Sequence, residues 1–207
     1  MDSIVAVYAS PRRSGNTATL LGQAVKGARD AGACVEEIVL RDAKISPCLE
    51  IYGCRQTGSC VIRDDFHAIC DKLLNADAIM IASPVFFYSV SAHLKIFMDR
   101  CQSLWVKKYW IDKTPSGKRA PGRKTLLICA GATKGAKLFD GILLSIKYFL
   151  DVLDAALWRS LLFRGLDFEK DVLGQPQFLE QAYQAGHDLA LVLSDPKDIA
   201  AGISDVK

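Results

Sequence analysis

Five short apolar runs, each followed by a segment of helical period, constrain this chain more than any other feature. The runs are Ser3 to Ala9, Cys34 to Leu40, Ala78 to Ala82, Thr125 to Ala130 and, less purely, Leu157 to Phe163. Val, Ile and Leu recur in them, as in strands buried on both faces of a parallel sheet. Between the runs, Leu20, Leu21, Ala24, Val25 and Ala28 form one helical stripe, and Leu94, Phe97, Met98 and Cys101 form another. Asp65 to Leu74, Lys137 to Leu153 and Pro176 to Leu193 read as three more helices. Five βα units without internal repeat predict an α/β fold: a doubly wound five-stranded parallel sheet with helices on both faces.

A chain of 207 residues suits one domain over 1–207 that buries roughly 70% of its unfolded surface. Residues 195–207 are expected to form a loosely ordered tail. No apolar run approaches the roughly 18 residues of a membrane span, so no membrane partner is expected. A strand pattern begins within three residues of Met1, which leaves no space for a secretory leader and predicts a cytoplasmic protein. In that setting the seven cysteines read as reduced thiols. Cys34, Cys70, Cys101 and Cys129 fall on apolar faces and are expected to pack as small hydrophobes.

The first apolar run opens directly into "SPRRSGNT", residues 10–17. In an open parallel sheet, ligands sit beyond the carboxyl ends of the strands, where helix N-termini present free N–H groups. Ser10, Ser14, Asn16 and Thr17 supply side-chain donors there, Gly15 admits close backbone approach, and Arg12 and Arg13 are cations. This is the composition of a phosphate cradle; the competing reading is a polar turn with a Ser or Asn cap. The G-x-x-x-x-G-K-[ST] signature of nucleoside triphosphatases is missing from it, and no two glycines in the chain are separated by one residue, so G-x-G-x-x-G is also missing. A terminal phosphomonoester suits the loop better than a pyrophosphate. After the third run, "SPVFFYSVSA" places Pro84, Val85, Phe86, Phe87 and Tyr88 at the same sheet edge, where aromatic surface can line a flat ring. After the fourth, "AGATKG" offers small residues whose N–H groups can reach a ligand's polar edge.

Taken together, "SPRRSGNT", "SPVFFYSVSAHLKIFMDR" and the segment "PC…GC…TGSCVIRDD" resemble the NADPH-dependent FMN reductase and iron-sulfur flavoprotein group of the flavodoxin-like superfamily. The likeness is clearest over residues 3–102. It implies FMN, with its phosphate on Ser10, Arg12, Ser14, Gly15, Asn16 and Thr17. The isoalloxazine ring would lie against Pro84, Val85, Phe86, Phe87, Tyr88 and Ser89, with its far edge near Gly131, Ala132 and Thr133. It also implies a homodimer or homotetramer. Cluster-bearing members of the group have C-x-x-C-x-x-C and a later fourth cysteine, whereas here the series is Cys48, Ile51, Cys54 and Cys60. Isoleucine stands in place of the second thiolate of a four-cysteine set, which argues against an iron-sulfur cluster.

The expected activity is that of an FMN-binding oxidoreductase taking a hydride from NAD(P)H and reducing a small-molecule acceptor: flavin, quinone, azo or nitro compound. The alternative is a flavodoxin-like electron-transfer protein without nicotinamide turnover. No catalytic side chain is singled out, because backbone donors suffice to stabilise charge on a reduced ring. His67, His93 and His187 lack metal-ligand spacing, no metal site is expected, and Thr133 replaces the serine that a nucleophile elbow needs. The net charge of +3 conceals a basic stretch, Lys107 to Lys124, with seven Lys or Arg against the single Asp112. It reads as a solvated loop, or as an arm whose Lys118, Arg119 and Arg123 meet the extra phosphate of NADPH; nucleic acid is not an expected partner.

Overall fold

The five apolar runs become five strands that pair in parallel, and their faces alternate as burial on both sides requires. The computed structural model describes residues 2–115 and 122–194; the expected tail, with Lys118 and Arg119, lies outside them. The strands are β1 Ser3–Tyr8, β2 Cys34–Val39, β3 Ala78–Pro84, β4 Arg123–Gly131 and β5 Ala155–Arg164, in spatial order β2-β1-β3-β4-β5. This is the flavodoxin-like order, with its switch point between β1 and β3.

The larger helices are α1 Asn16–Asp30, α3 Phe66–Asn75, α4 Ala92–Arg100, α6 Asp140–Val152 and α7 Pro176–Ser194; α2 Cys54–Thr57 and α5 Gln102–Val106 are short. Ile4 and Ala6 of β1 join Leu20, Leu21 and Ala24 of α1 and Ala185 and Leu189 of α7 in one core. Their neighbours Val5 and Val7 face the other way, into a core with Phe66, Phe97, Ile142 and Phe149. Helices α1 and α7 cross closely because glycine stands at the contact: a Cβ at Gly27 would lie 2.0 Å from the Tyr183 carbonyl oxygen, and one at Gly186 would lie 1.9 Å from that of Ala24.

Cys70, Cys101 and Cys129 are buried as expected, and burial pushes the Cys129 thiol up to about 12. Cys34 is a correction: it is exposed, because it begins β2, an edge strand packed mainly through Val35 and Ile38. The basic stretch is partly engaged where it is described. After α5 the chain continues through a wide π turn, Lys107–Ile111. Lys108 Nζ lies 2.8 Å from Asp154 and donates to the Asp151 carbonyl at 2.6 Å, and the Tyr109 hydroxyl bonds Asp151. Arg123 starts β4, at the opposite end of the strand from the loops expected to bind ligand, and donates to the carbonyls of Leu153 and Leu74. Within one chain, Arg123 therefore lies away from the cleft.

The long connection from β2 to α3 is ordered around one buried cation. Arg100, whose side chain is 0% exposed, pairs with Asp64 through Nη1 at 2.7 Å and Nη2 at 3.1 Å. It also donates to the carbonyls of Ser46 and Ile62 and to Cys60 Sγ at 3.2 Å, and lies over the Phe66 ring. Burial acts to raise the Asp64 carboxyl, but the hydrogen bonds from Arg100, Ser46 N–H and Phe66 N–H outweigh it and hold Asp64 below its usual value. Removing one member of such a pair costs about 3–5 kcal/mol. A depressed native value means that the contribution is fully present above the unfolded value of about 3.9 and is lost as pH falls through the native one. Urea unfolding of wild type and Asp64→Asn should therefore differ most near neutral pH, with the gap closing below about pH 4; a gap independent of pH would contradict this assignment.

Candidate functional site

Where β1, β3, β4 and β5 end, their loops surround a cleft of about 270 Å³, close to the size range of small-molecule sites. The β1 loop contributes Ser10, Pro11, Arg12, Gly15, Asn16 and Thr17. Ser10 and Thr17 are buried hydroxyls, and Ser10 Oγ accepts from Arg12 N–H at 3.0 Å, which tightens the loop. Gly15 caps α1 in an extended conformation without a side-chain cap. The first amides of α1 therefore lack the internal acceptor that a capping side chain provides, and they suit an anion.

The two arginines of this loop separate. Arg13 pairs with Asp42 at 2.7 Å on the surface, and Arg41 from the same β2 end donates to the Pro11 carbonyl. Arg12 lines the cleft and has no ion-pair partner among the described residues. One cation of the pair is thus already engaged, and the other is free for a ligand.

Pro84, Val85 and Phe86 line the cleft from the β3 loop, with Val85 N–H bonded to the Ala130 carbonyl at 2.9 Å. Beyond them Phe86 and Ser89 exchange two backbone hydrogen bonds, of 3.0 and 2.9 Å, around a two-residue turn. Both central residues are left-handed, Phe87 at φ 48° and Tyr88 at φ 59°. Such a turn favours Asn-Gly, and a bulky residue there costs about 1–2 kcal/mol. Behind the turn, a Cβ at Gly141 of α6 would meet the Tyr88 carbonyl oxygen at 2.5 Å, so glycine admits it there. Ser91 ties this loop to β1: its Oγ donates to the Ala9 carbonyl at 2.6 Å and caps α4 by accepting from Leu94 N–H.

The end of β4 contributes Ala130 and Gly131, and the loop after it Ala132. Gly131 is hemmed in by Leu138 and Val85, 3.0 and 3.1 Å from where a Cβ would stand. Arg164, at the end of β5, lies over Phe139 and donates to the carbonyls of Gly135 and Ala136, which holds the rest of the loop in place.

Ser10, Arg12, Gly15, Asn16, Thr17, Pro84, Val85, Phe86, Gly131 and Ala132 thus meet at one cleft, whereas Ser14, Phe87, Tyr88, Ser89 and Thr133 do not line it. Ser14 points instead to Glu169, at 3.0 Å. Leu166 and Asp167 line the cleft and were not anticipated, although they follow the fifth strand as the other loops follow theirs. Asn16 explains how they are held: Nδ2 donates to the Phe168 carbonyl at 2.9 Å and Oδ1 accepts from Val172 N–H at 3.1 Å. Asn16→Ala leaves both backbone groups without their partner and should lower stability by about 2 kcal/mol, with faster amide exchange at Val172 as the measurement; unchanged protection would overturn the assignment.

The cysteine series does not fit a cluster. Ile51 is exposed where a thiolate is needed, Cys48 is exposed, and Cys60 Sγ is occupied by the Arg100 guanidinium. Among the described residues no three His, Cys, Asp or Glu side chains converge as metal ligands, and no described helix is long and apolar enough to cross a membrane.

Comparison with known proteins agrees with this architecture. An iron-sulfur flavoprotein of Methanocaldococcus jannaschii is 39% identical over 101 residues, which cover 49% of this chain and 52% of that protein. The chain spans about half the length of the iron-sulfur flavoproteins it matches. A Bacillus subtilis protein described as an NAD(P)H-dependent FMN-containing oxidoreductase is 27% identical across 83% of this chain and 84% of its own. Among solved structures, an NAD(P)H:quinone oxidoreductase of Methanothermobacter marburgensis shares the fold, with a TM-score of 0.67 at 19% identity over 90% of this chain and 95% of that one. Residues 3–136 match the family model for NADPH-dependent FMN reductase, and the chain belongs to that family.

Proposed function

We propose that the cleft binds FMN and that the protein is an oxidoreductase passing electrons from NAD(P)H to a small acceptor such as a flavin, quinone, azo or nitro compound. The observation that carries this reading is the uncapped start of α1 beside Arg12, which has no ion-pair partner among the described residues, at the switch point of the sheet. When bound, FMN supplies the hydride chemistry. The chain's own residues position it and adjust its electrostatics. Ser10, Thr17, the first amides of α1 and Arg12 take the terminal phosphate. Asp167, a carboxylate acceptor in the cleft lining, suits the hydroxyls of a sugar-alcohol chain. Val85, Phe86 and Gly131 present apolar wall and closely approachable backbone to a flat ring.

Arg12 and Asp167 are the titratable side chains of the cleft lining, and neither is placed as a general acid or base. In this reading hydride transfer needs none from the protein, because oriented backbone donors are enough to favour negative charge on the reduced ring. The residues present do not fit a cluster, so no electron route through iron is part of this reading.

The test is anaerobic titration of the purified protein with NADPH and then NADH, followed by visible absorption. Flavin bands that bleach support the proposal; bound flavin that neither nucleotide reduces would favour an electron carrier instead. In the apoprotein, Arg12→Ala should raise the FMN dissociation constant about thirtyfold, the scale of one charge-assisted hydrogen bond. Arg13→Ala, whose guanidinium Asp42 already engages, should change it less than about threefold. Equal effects of the two, read by quenching of flavin fluorescence, would remove Arg12 from the phosphate site.

A further inference from the structure

The Phe86–Ser89 turn carries two aromatic rings, Phe87 and Tyr88, that do not line the cleft. Phe86 lines the cleft at 47% exposure, whereas Phe87, the next residue, has its entire side chain in solvent at 103%. Tyr88 is 54% exposed and its hydroxyl lies 3.9 Å from where a Cβ on Gly135 would stand, so the turn reaches from the β3 loop to the β4 loop. Both rings are carried at positive φ, where glycine or asparagine would sit without strain. Phe87 gains no burial within the fold that offsets this strain. Strain combined with an exposed ring beside a cleft points to a function outside the fold.

We propose that this turn is the acceptor platform of the enzyme: a planar aromatic acceptor stacks on Phe87, just outside the wall that Phe86 gives the cleft. The inference rests on the reading that the cleft holds FMN, and it narrows the acceptor class to flat rings. Three features of the site favour such a ring over a second copy of the chain. The exposed aromatic surface is continuous with the cleft wall through Phe86. It is confined to a two-residue turn, the scale of one ring system. The turn is braced from behind by Gly141 and the start of α6, so the platform is held in place before a ligand arrives.

The experiment uses FMN-loaded protein, photoreduced without nicotinamide and reoxidised in a stopped-flow instrument by 1,4-naphthoquinone or by ferricyanide, which has no ring to stack. Phe87→Ala and the double variant Phe87→Asn/Tyr88→Gly should each raise the half-saturation concentration for naphthoquinone about tenfold. Ferricyanide rates should change less than about twofold. Because asparagine and glycine relieve the strain, the double variant should also melt about 4 °C higher. Equal changes for the two oxidants, no change for naphthoquinone, or a lower melting temperature would overturn the proposal. So would a change in oligomeric mass by light scattering with naphthoquinone unaffected, which would assign the turn to a second copy. Wild-type protein that takes up no FMN would defeat the flavin reading itself, whereas FMN lost only from the variants would place Phe87 in the flavin wall and defeat this inference alone.

Discussion

The cleft exists because two neighbouring strands, β1 and β3, send their following helices to opposite faces of the sheet. Helix α1 leaves β1 toward one core and α4 leaves β3 toward the other, and a gap between diverging chain segments is the unavoidable result. Everything assigned to ligand binding lies at or around that gap. Ser91 limits its width by joining the β3 loop to the Ala9 carbonyl. The free amides at its floor come from the same divergence, since α1 must begin there. Topology thus supplies free helix N-terminal amides at a cleft before any particular side chain is chosen, and Arg12, Ser10 and Thr17 line it.

A second constraint organises the rest of the surface. The connection between β2 and α3 is long for a compact domain, and such segments are ordered only if their backbone groups find partners. Arg100 provides them from beneath, saturating two carbonyls, a carboxylate and a thiol around one planar guanidinium. Lysine at this position would carry the charge without the fork geometry that lets one side chain serve so many acceptors. Cys60 of this segment is consequently engaged by a cation, an environment unlike that of a metal-bound thiolate.

The five strands and the major helices were legible in the sequence because burial on both faces leaves apolar runs that few other structures produce. That the β1 loop lines the cleft was legible for a similar reason: donors, glycine and cations crowd a strand end. Charge type hid Arg100, which reads as a surface residue until Asp64 and Phe66 surround it. Composition also could not reveal which of Arg12 and Arg13 is engaged, because Asp42 arrives from a different strand. Phe87 reads from its run as a ring contact, whereas its left-handed φ and full exposure have no signal in composition. Leu166 and Asp167 follow a strand as the other cleft loops do, but the fifth run is the least pure and its end carries no cluster of small or polar donors.

The bonds from Asn16 to Phe168 and Val172 join positions 152 and 156 residues apart, and α1 rests on α7 through Gly27 and Gly186. The cradle is therefore assembled from the earliest and latest described parts of the chain. On a ribosome, the loop that begins α1 emerges long before the segment that fixes it, and contacts of such separation close late. Gain of ligand affinity would consequently mark the final stage of folding, and a nascent chain lacking α7 would expose the apolar stripe of α1 for most of its synthesis.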